Sequence, residues 1–279
     1  MSSRTDDSFE INKARWNEVV DLHFRSPFYR VPQFLAGEDV LLPIESDEIG
    51  PLHGRRLLHL QCHFGLDTLC LARRGAIATG LDYSAEAIHR ARDLAREAGF
   101  DSRFLEGNVY DAAELISERF EIIYVTWGAL TWLPDIPGWA KLVAWMLEPG
   151  GFLYLLEGHP FALALDQATA DAPITPSFDY FQGEEPLVFR ETASYADPSA
   201  QIAHAESHEW THGLGKVLNA LIEAGLAIEW VHEHDCVAWQ MLKCLEQGPD
   251  RMFRMPAGRP RLPLSYSLKA RRPALASAC

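Results

Sequence analysis

From residue 55 onward, short apolar runs alternate with longer segments whose apolar positions have helical spacing. The apolar runs predict β-strands at 56–61, 77–81, 103–106, 121–126 and 152–156. The segments between them predict helices at 66–74, 84–98 and 137–147. Strands and helices that alternate in this way form βαβ units with right-handed crossovers. The pattern therefore predicts an α/β fold around a Rossmann-like, doubly wound sheet.

Two parts of the chain depart from this alternation. Before the core, the positions of Trp16, Val19 and Val20 form one helical stripe, which a break at Ser26-Pro27 ends. Residues 159–210 lose the alternation and are rich in proline and aromatic residues. Because a structureless loop of this length is unusual in a compact domain, this stretch predicts an inserted cap with a short antiparallel hairpin.

The core pattern resumes after the cap with a helix at 215–224 and strands at 227–234 and 264–270. We therefore expect three parts: an N-terminal helical segment at 1–50, a core domain at 51–272 that carries the cap, and a tail at 273–279.

Composition and charge narrow the class of protein. Hydrophobic residues make up 48% of the 279 positions, an ordinary value for a globular chain, and the formal net charge is −14. That charge disfavours phosphate backbones and anionic membrane surfaces, so we expect neither a nucleic-acid nor a membrane partner. No apolar run approaches the roughly 18 residues that span a bilayer, so we expect a cytoplasmic protein. The five cysteines form no CxxC pair, and nothing in the pattern indicates an oligomeric state.

The turn after the first predicted strand is the best candidate for a binding site. In doubly wound sheets, ligands bind outside the carboxyl ends of the strands, beside the first strand-to-helix turn. Here that turn runs from Gln61 to Gly65, and Asp82 ends the second strand about twenty residues later. Amides at the start of a helix can bind an anionic group, and a carboxylate can accept both hydroxyls of a ribose. These features suit either S-adenosylmethionine (SAM) or a dinucleotide.

Four short segments in order carry a resemblance to a known family: HLQCHFG at 59–65, GLDYS at 80–84, GNV at 107–109 and EPGG at 148–151. The series resembles the motifs of class I SAM-dependent methyltransferases over about residues 12–272. More narrowly, it is similar to a bacterial group of small-molecule methyltransferases whose first motif reads LHLQCH. The resemblance implies a seven-stranded sheet with an antiparallel last strand, SAM as cofactor and a small-molecule methyl acceptor.

The first motif departs from the usual family pattern. His59 stands where the family has an acidic residue, Gln61 and His63 replace the first two glycines, and only Gly65 is retained. Histidine is one of the residue types that tolerate positive φ, so a turn of this kind can form. We therefore expect the methionine end of SAM to be held partly by side chains.

The resemblance also implies that the N-terminal helical segment at 1–50 folds over the cofactor as a lid, and it implies roles for individual residues. Asp82 would hold the ribose, Tyr83 would flank the adenine, and Thr126 and Trp127 would face the methionine portion. The full set of expected cofactor contacts is Trp16, Tyr29, Gln61, Cys62, His63, Gly65, Asp82, Tyr83, Ser84, Asn108, Val109, Thr126 and Trp127.

Methyl transfer needs alignment of the acceptor and sometimes a group that removes a proton. His159, directly after the fifth strand, is the candidate general base because imidazole titrates near neutrality, and Glu157 is the second candidate. Either side chain could instead hydrogen-bond nearby backbone. The expected acceptor contacts are His23, Trp132, Phe178, Tyr180 and Tyr195.

His204, His208 and His212 are spaced so that a helix would stack them on one face. Such a stack spans about 12 Å, too far for all three to reach one ion, so we expect no metal site. Two other functions stay open at this point. A nicotinamide-dependent oxidoreductase would need a G-x-G-x-x-G turn, which is absent, and a SAM-binding protein without methyl transfer would fit the unusual first motif.

Overall fold

The computed structural model describes the backbone of residues 3–274 and the side chains of residues 7–274. Most of the predicted tail at 273–279 lies outside the described residues. The helices are α1 (Ser3–Arg25), α2 (Val31–Leu35), α3 (Pro43–Glu48), α4 (Leu66–Arg73), α5 (Ala85–Ala98), α6 (Ala112–Leu115), α7 (Ile136–Met146), α8 (Pro160–Leu163) and α9 (Leu214–Glu223). The strands are β1 (Arg56–Leu60), β2 (Ile77–Asp82), β3 (Arg103–Glu106), β4 (Phe120–Thr126), β5 (Leu147–Gly158), β6 (Leu165–Asp166), β7 (Thr175–Pro176), β8 (Leu187–Arg190), β9 (Glu206–Glu209), β10 (Ala227–His234), β11 (Cys236–Val237), β12 (Glu246–Gln247), β13 (Phe253–Arg254) and β14 (Ser265–Arg271).

Within residues 3–274, seven strands form one sheet in the order β10-β14-β5-β4-β1-β2-β3. The strands from β5 to β3 in that order are parallel, and β14 is inserted antiparallel between β10 and β5. This arrangement confirms the predicted sheet with an antiparallel last strand.

The central strands are buried on both faces, as covered parallel sheets require. Side chains alternate between the faces, so Leu57 and Tyr124 join one apolar cluster with helices α4 and α5. Leu58 and Ile123 join the opposite cluster, which includes Trp139 from helix α7. The two clusters hold the strands in register and bring the carboxyl ends of β1, β2, β4 and β5 to one edge.

Helix α5 begins and ends where the sequence predicts. The Ser84 hydroxyl accepts a hydrogen bond from the Ala87 N–H, and Gly99 closes the helix at φ 74°. These are an N-cap and a left-handed C-cap, each of which satisfies backbone groups at a helix terminus.

The cap at 159–210 contains two antiparallel strand pairs, β6–β7 and β8–β9, in agreement with the predicted hairpin. A second insertion, which the residue pattern did not predict, lies between β10 and β14 and carries the small sheet β11–β13–β12. Its strands are only two residues long, too short to produce a periodic pattern.

Helix α1 crosses the carboxyl edge and is anchored to the cap. Asn12 pairs with His208 of β9 through two hydrogen bonds. Asn12 Nδ2 donates to the His208 carbonyl at 2.8 Å, and the His208 N–H donates to Asn12 Oδ1 at 2.9 Å. Arg15 donates to the carbonyls of Glu191 and Ala205. The N-terminal segment therefore lies between the sheet edge and the cap.

Candidate cofactor and acceptor site

The turn after β1 adopts the left-handed backbone conformation at three positions: Gln61 at φ 57°, His63 at φ 51° and Gly65 at φ 74°. Non-glycine residues in this region cost on the order of 1 kcal/mol or more each and persist only where surrounding contacts hold them. Here the Cys62 N–H donates to the Leu81 carbonyl at 3.0 Å, and the His63 N–H donates to Asp82 Oδ2 at 2.8 Å. The turn therefore has the backbone conformation typical of glycine, although Gln61 and His63 occupy two of its three left-handed positions.

Gly65 is required for a different reason. A Cβ at this position would lie 2.5 Å from the ring of Phe104, in addition to the strain of its positive φ. The retained glycine lets helix α4 begin tightly against β3. Cys62 points inward and is buried, which leaves its backbone as the part that lines the turn.

Asp82 ends β2 and connects the first turn with helix α5. Its carboxylate accepts the His63 N–H at 2.8 Å and the Ser84 N–H at 2.9 Å, while burial raises its pKa to about 6. Each carboxylate oxygen can accept more than one hydrogen bond, so both can still accept a ribose hydroxyl. Ser84 itself donates to Asn17 Oδ1 and caps α5, and no structural feature assigns it the expected cofactor contact.

Two buried polar atoms flank this turn without a hydrogen-bond partner among the described residues: Gln61 Oε1 and Tyr83 OH. The Gln61 amide is oriented by its other end, since Nε2 donates to the Ala129 carbonyl at 2.8 Å. A buried polar group left unpaired costs about 1–3 kcal/mol, so such atoms indicate a ligand that completes them. The α-ammonium and adenosine ends of SAM carry donors and acceptors suited to these two positions.

Asn108 lies at the same edge beyond β3. Its Oδ1 accepts the Tyr110 N–H at 3.1 Å, and Val109 beside it is buried. Their contact with the adenine stays a prediction.

The loop after β4 is organised by Glu157 from the end of β5. Glu157 accepts N–H bonds from Gly128 at 2.7 Å and from Leu130 at 2.9 Å, and burial raises its pKa to about 7. Thr126 is buried at the end of β4, and Trp127 follows at φ 54°. The predicted second catalytic group is therefore engaged in shaping the loop that would face the methionine portion of the cofactor.

Trp127 contacts Glu45, a buried acidic residue that the residue pattern did not single out. Its indole N–H lies 3.3 Å from both carboxylate oxygens of Glu45, and burial raises the pKa of Glu45 to about 8. Asp67, at the start of α4, has its pKa raised to about 6 by burial. His59, in the position of the usual acidic residue, is buried with Nδ1 2.8 Å from Thr68 Oγ1. Glu45 carries no local sequence signal, because its burial depends on contacts with residues far away in the chain, such as Trp127.

Six of the predicted site residues meet in one aromatic–imidazole cluster. Three come from the N-terminal segment, one from the first turn, one from the loop after β4 and one from the cap. They are Trp16, His23, Tyr29, His63, Trp132 and Tyr195.

Direct contacts connect the members of the cluster. The Trp16 ring centroid lies 5.2 Å from that of His63 and 5.3 Å from that of Trp132. The hydroxyls of Tyr29 and Tyr195 are hydrogen-bonded to each other. The cluster therefore joins the expected lid, the first turn and the cap.

Phe178 and Tyr180 do not belong to this cluster, which corrects the expectation of a single aromatic lining for the acceptor. Phe178 packs against Phe189 at 5.4 Å, and the Tyr180 hydroxyl accepts the Leu214 N–H at 3.1 Å. Tyr195 instead contacts His23, Phe28 and Tyr29 of the N-terminal segment.

His159 lies on the side of β5 that faces β14. Its Nδ1 accepts the Phe161 N–H at 3.1 Å as the N-cap of α8, and its Nε2 is 3.1 Å from Glu233 Oε1 but poorly aligned for a hydrogen bond. Burial lowers the pKa of His159, and the Glu233 carboxylate opposes that effect. Beside it is an open cleft of about 560 Å³, lined by His159, Phe161, Tyr180, Leu262 and Pro263.

The three spaced histidines do not share a helix, because this part of the chain is strand and loop. His208 lies on β9, His204 pairs with Glu18, and His212 contacts the Leu133 carbonyl. Residues 7–274 contain no group of three or more side chains of the metal-binding types arranged to hold an ion. Within the described part of the chain, no helix is long and apolar enough to cross a membrane.

Comparison with known proteins agrees with this geometry. Residues 57–151 match the family described as Methyltransferase domain. The chain is 27% identical to the ubiquinone biosynthesis O-methyltransferase of Aeromonas salmonicida over 151 residues, 53% of this chain and 58% of that protein. It is 31% identical to the corresponding Paracidovorax citrulli enzyme over 109 residues, 39% of this chain and 45% of that protein. The chain thus spans about half the length of these curated relatives.

Solved structures extend the likeness beyond the matched domain. A SAM-dependent methyltransferase from Mesorhizobium loti superposes with a TM-score of 0.56 at 25% identity, covering 80% of this chain and 93% of that one. The CcbJ methyltransferase from Streptomyces caelestis shares the fold with a TM-score of 0.59 at 14% identity, covering 94% and 99%. Fold, motif series and the Methyltransferase domain match over residues 57–151 agree with a class I SAM-dependent methyltransferase. The cofactor of this class is SAM.

Proposed function

We propose that this protein transfers a methyl group from SAM to an oxygen or nitrogen atom of a small-molecule acceptor. The observation that supports it most directly is the pair of buried, unpartnered atoms that flank the first turn, Gln61 Oε1 and Tyr83 OH. The curated relatives are named as O-methyltransferases, which favours oxygen as the acceptor atom.

Each end of the site has residues suited to one part of the cofactor. Gln61 Oε1 would accept from the α-ammonium, and Asp82 would accept from the ribose hydroxyls. Tyr83, Asn108 and Val109 would surround the adenine. When bound, SAM supplies an electrophilic methyl group on a positively charged sulfur.

The rest of the chain aligns the acceptor and keeps water out. Helix α1 and the cap lie over the sheet edge and are connected by the Asn12–His208 pair. Holding acceptor and methyl group in line can supply several kcal/mol of the barrier reduction. The cap over the sheet edge favours a small acceptor, and the net charge of −14 disfavours a nucleic acid. Cytoplasmic location stays a prediction.

The chemical roles of Glu157 and His159 also stay predictions. The hydrogen bonds of Glu157 to Gly128 and Leu130 support a positioning role, in which it fixes the loop after β4. The cleft beside His159 supports a contact with part of an acceptor, although both of its ring nitrogens already have close neighbours.

Calorimetry with S-adenosylhomocysteine and with NADH separates the methyltransferase from the oxidoreductase. We expect the first ligand to bind and the second not to, and binding of NADH alone would refute the proposal. Gln61→Leu should weaken S-adenosylhomocysteine binding at least tenfold, since the bond of Oε1 to the ligand is lost together with the bond of Nε2 to Ala129. Gln201→Leu, on the exposed surface of the cap, is the matched control and should leave affinity unchanged.

Transfer of labelled methyl from SAM to any member of a small-metabolite panel tests the chemistry itself. Label in an acceptor excludes a protein that binds SAM without transferring methyl. Tight S-adenosylhomocysteine binding with no labelled product across phenols, alcohols and amines would refute methyl transfer to a small molecule.

A further inference from the structure

Two imidazoles in the aromatic–imidazole cluster are joined to each other and to the cap. His23 Nδ1 lies 3.0 Å from His63 Nε2, and His23 Nε2 lies 2.7 Å from Ser194 Oγ. His23 is 1% exposed, whereas His63 is only partly buried. The chain His63–His23–Ser194 therefore has one accessible end, at His63.

This chain spans the space between the two sides of the proposed reaction. His63 belongs to the first turn, where its N–H donates to the ribose-binding candidate Asp82. Ser194 and Tyr195 belong to the cap, and Tyr195 is 47% exposed there. No other described imidazole connects the first turn with the cap.

We propose that His63 is the general base of methyl transfer, that His23 and Ser194 orient it, and that the acceptor is an aromatic hydroxyl compound. This inference rests on the proposed function. A base held by a second group, which is held in turn by a third, is the arrangement that activates nucleophiles in many unrelated sites.

One assignment of protons leaves His63 able to act. If His23 donates through Nε2 to Ser194 Oγ, its Nδ1 accepts the Nε2–H of His63. Nδ1 of His63 then keeps a free lone pair. Ser194 Oγ already accepts the Ala196 N–H at 3.2 Å and has a second lone pair for His23, so it can serve as the anchor.

Burial favours the neutral form of both imidazoles. Burial lowers the pKa of His23 to about 3, with the Arg15 guanidinium adding to the effect, and burial lowers the pKa of His63 well below its ordinary value. Burial disfavours protonation of an imidazole because the proton adds a positive charge to the site. During methyl transfer the positive charge on sulfur disappears as the proton arrives, so the net charge of the site does not rise.

The surrounding rings indicate the acceptor class. Trp16 and Trp132 meet edge to face beside His63, and Tyr195 is 47% exposed at the outer end of the cluster. Aromatic walls with a few polar groups favour a flat ligand whose polar atom reaches the inner end. A phenolic hydroxyl placed there would donate to Nδ1 of His63.

The step balances in atoms and charge. A lone pair of the acceptor oxygen forms the new bond to the methyl carbon, the carbon–sulfur bond breaks, and its electron pair stays on sulfur. The acceptor O–H bond breaks, its electron pair stays on oxygen, and the proton passes to Nδ1 of His63. The proton leaves to solvent when the methyl ether departs.

Nitrogen-15 NMR of histidine in the complex with S-adenosylhomocysteine tests the proton assignment without any turnover. Signals are assigned with the variants His63→Asn and His23→Gln, chosen because asparagine tolerates positive φ and glutamine suits a helix. We expect both imidazoles to be neutral and protonated on Nε2. A His63 protonated on Nδ1, or on both nitrogens at pH 7.5, would overturn the proposal.

Single-turnover methylation of phenols of graded acidity tests the chemistry. His63→Asn should lower the rate about 100-fold for weakly acidic phenols and progressively less for more acidic ones, because those need less help with the proton. His23→Gln should have a smaller effect with the same trend. His89→Gln, exposed on α5, is the matched control and should match the wild type.

The measurements also separate this inference from the proposed function. If the wild type does not bind S-adenosylhomocysteine, the proposed methyltransferase function is refuted. Unchanged binding with an equal defect of His63→Asn at every phenol acidity would refute only the general base. Methylation of alcohols or amines but of no phenol would refute the acceptor class.

Discussion

Replacement of Glu157 by glutamine should make the protein less stable in acid and no less stable above neutral pH. The carboxylate is 4% exposed, and it accepts the N–H groups of Gly128 and Leu130. Burial raises its pKa from 4.5 to about 7, so the folded protein binds this proton more tightly than the unfolded chain does. The stabilising contribution is therefore fully present below pH 4.5 and is lost as pH rises through 7.

The size of the effect follows from the pKa difference. One unit corresponds to about 1.4 kcal/mol, so a shift of this size removes about 3 kcal/mol of unfolding free energy by pH 8. Glutamine carries no charge and escapes this loss. However, its NH₂ cannot accept one of the two loop N–H bonds, which costs about 1–3 kcal/mol at every pH.

Urea unfolding of wild type and Glu157→Gln at pH 5 and pH 8 measures both effects. We expect the variant to be less stable by about 1–3 kcal/mol at pH 5 and to equal or exceed the wild type at pH 8. Glu114→Gln, at an exposed position, is the control and should show no pH-dependent difference. A stability difference for Glu157→Gln that is the same at both pH values would refute the reasoning.

Three further predictions concern the first turn and the end of β5. Gly65→Ala should destabilise the fold by about 2–4 kcal/mol in thermal unfolding, since positive φ and the 2.5 Å approach to Phe104 act together. Gly99→Ala, with the same φ and open space around it, should cost only about 1 kcal/mol, and equal losses would contradict the packing argument. Asp82→Asn should weaken S-adenosylhomocysteine binding at least tenfold by calorimetry, and unchanged affinity would remove Asp82 from the ribose site. If His159 contacts the acceptor, His159→Ala should raise KM for the acceptor with cofactor affinity unchanged; an unchanged KM would place the acceptor elsewhere.

The sheet and its helices could be predicted because their signals are local. Buried parallel strands such as β4 and β5 are continuous apolar runs, and helix α5 is bounded by Ser84 and Gly99, whose capping chemistry is read within a few residues. The candidate cofactor edge followed from the same pattern, since the carboxyl ends of parallel strands must meet at one side of the sheet.

The small sheet β11–β13–β12 could not be predicted, because its strands give no local signal. Strands β11, β12 and β13 are two residues long, too short to show the alternation of apolar and polar residues that marks a strand. The histidines at 204, 208 and 212 show the converse case, in which a spacing typical of a helix occurs in strand and loop. Spacing indicates a shared face only when the secondary structure is already known.

The sequence by itself determined the class of fold, the position of the cofactor turn and most of the residue types around it. Only the tertiary structure decided which of those residues meet. His23 lies 40 positions from His63 and 171 from Ser194, yet the three are joined by hydrogen bonds. Helix periodicity places Trp16 and His23 on α1 but carries no information on what covers that face. That depends on how α1 docks between the sheet edge and the cap, which long-range packing decides.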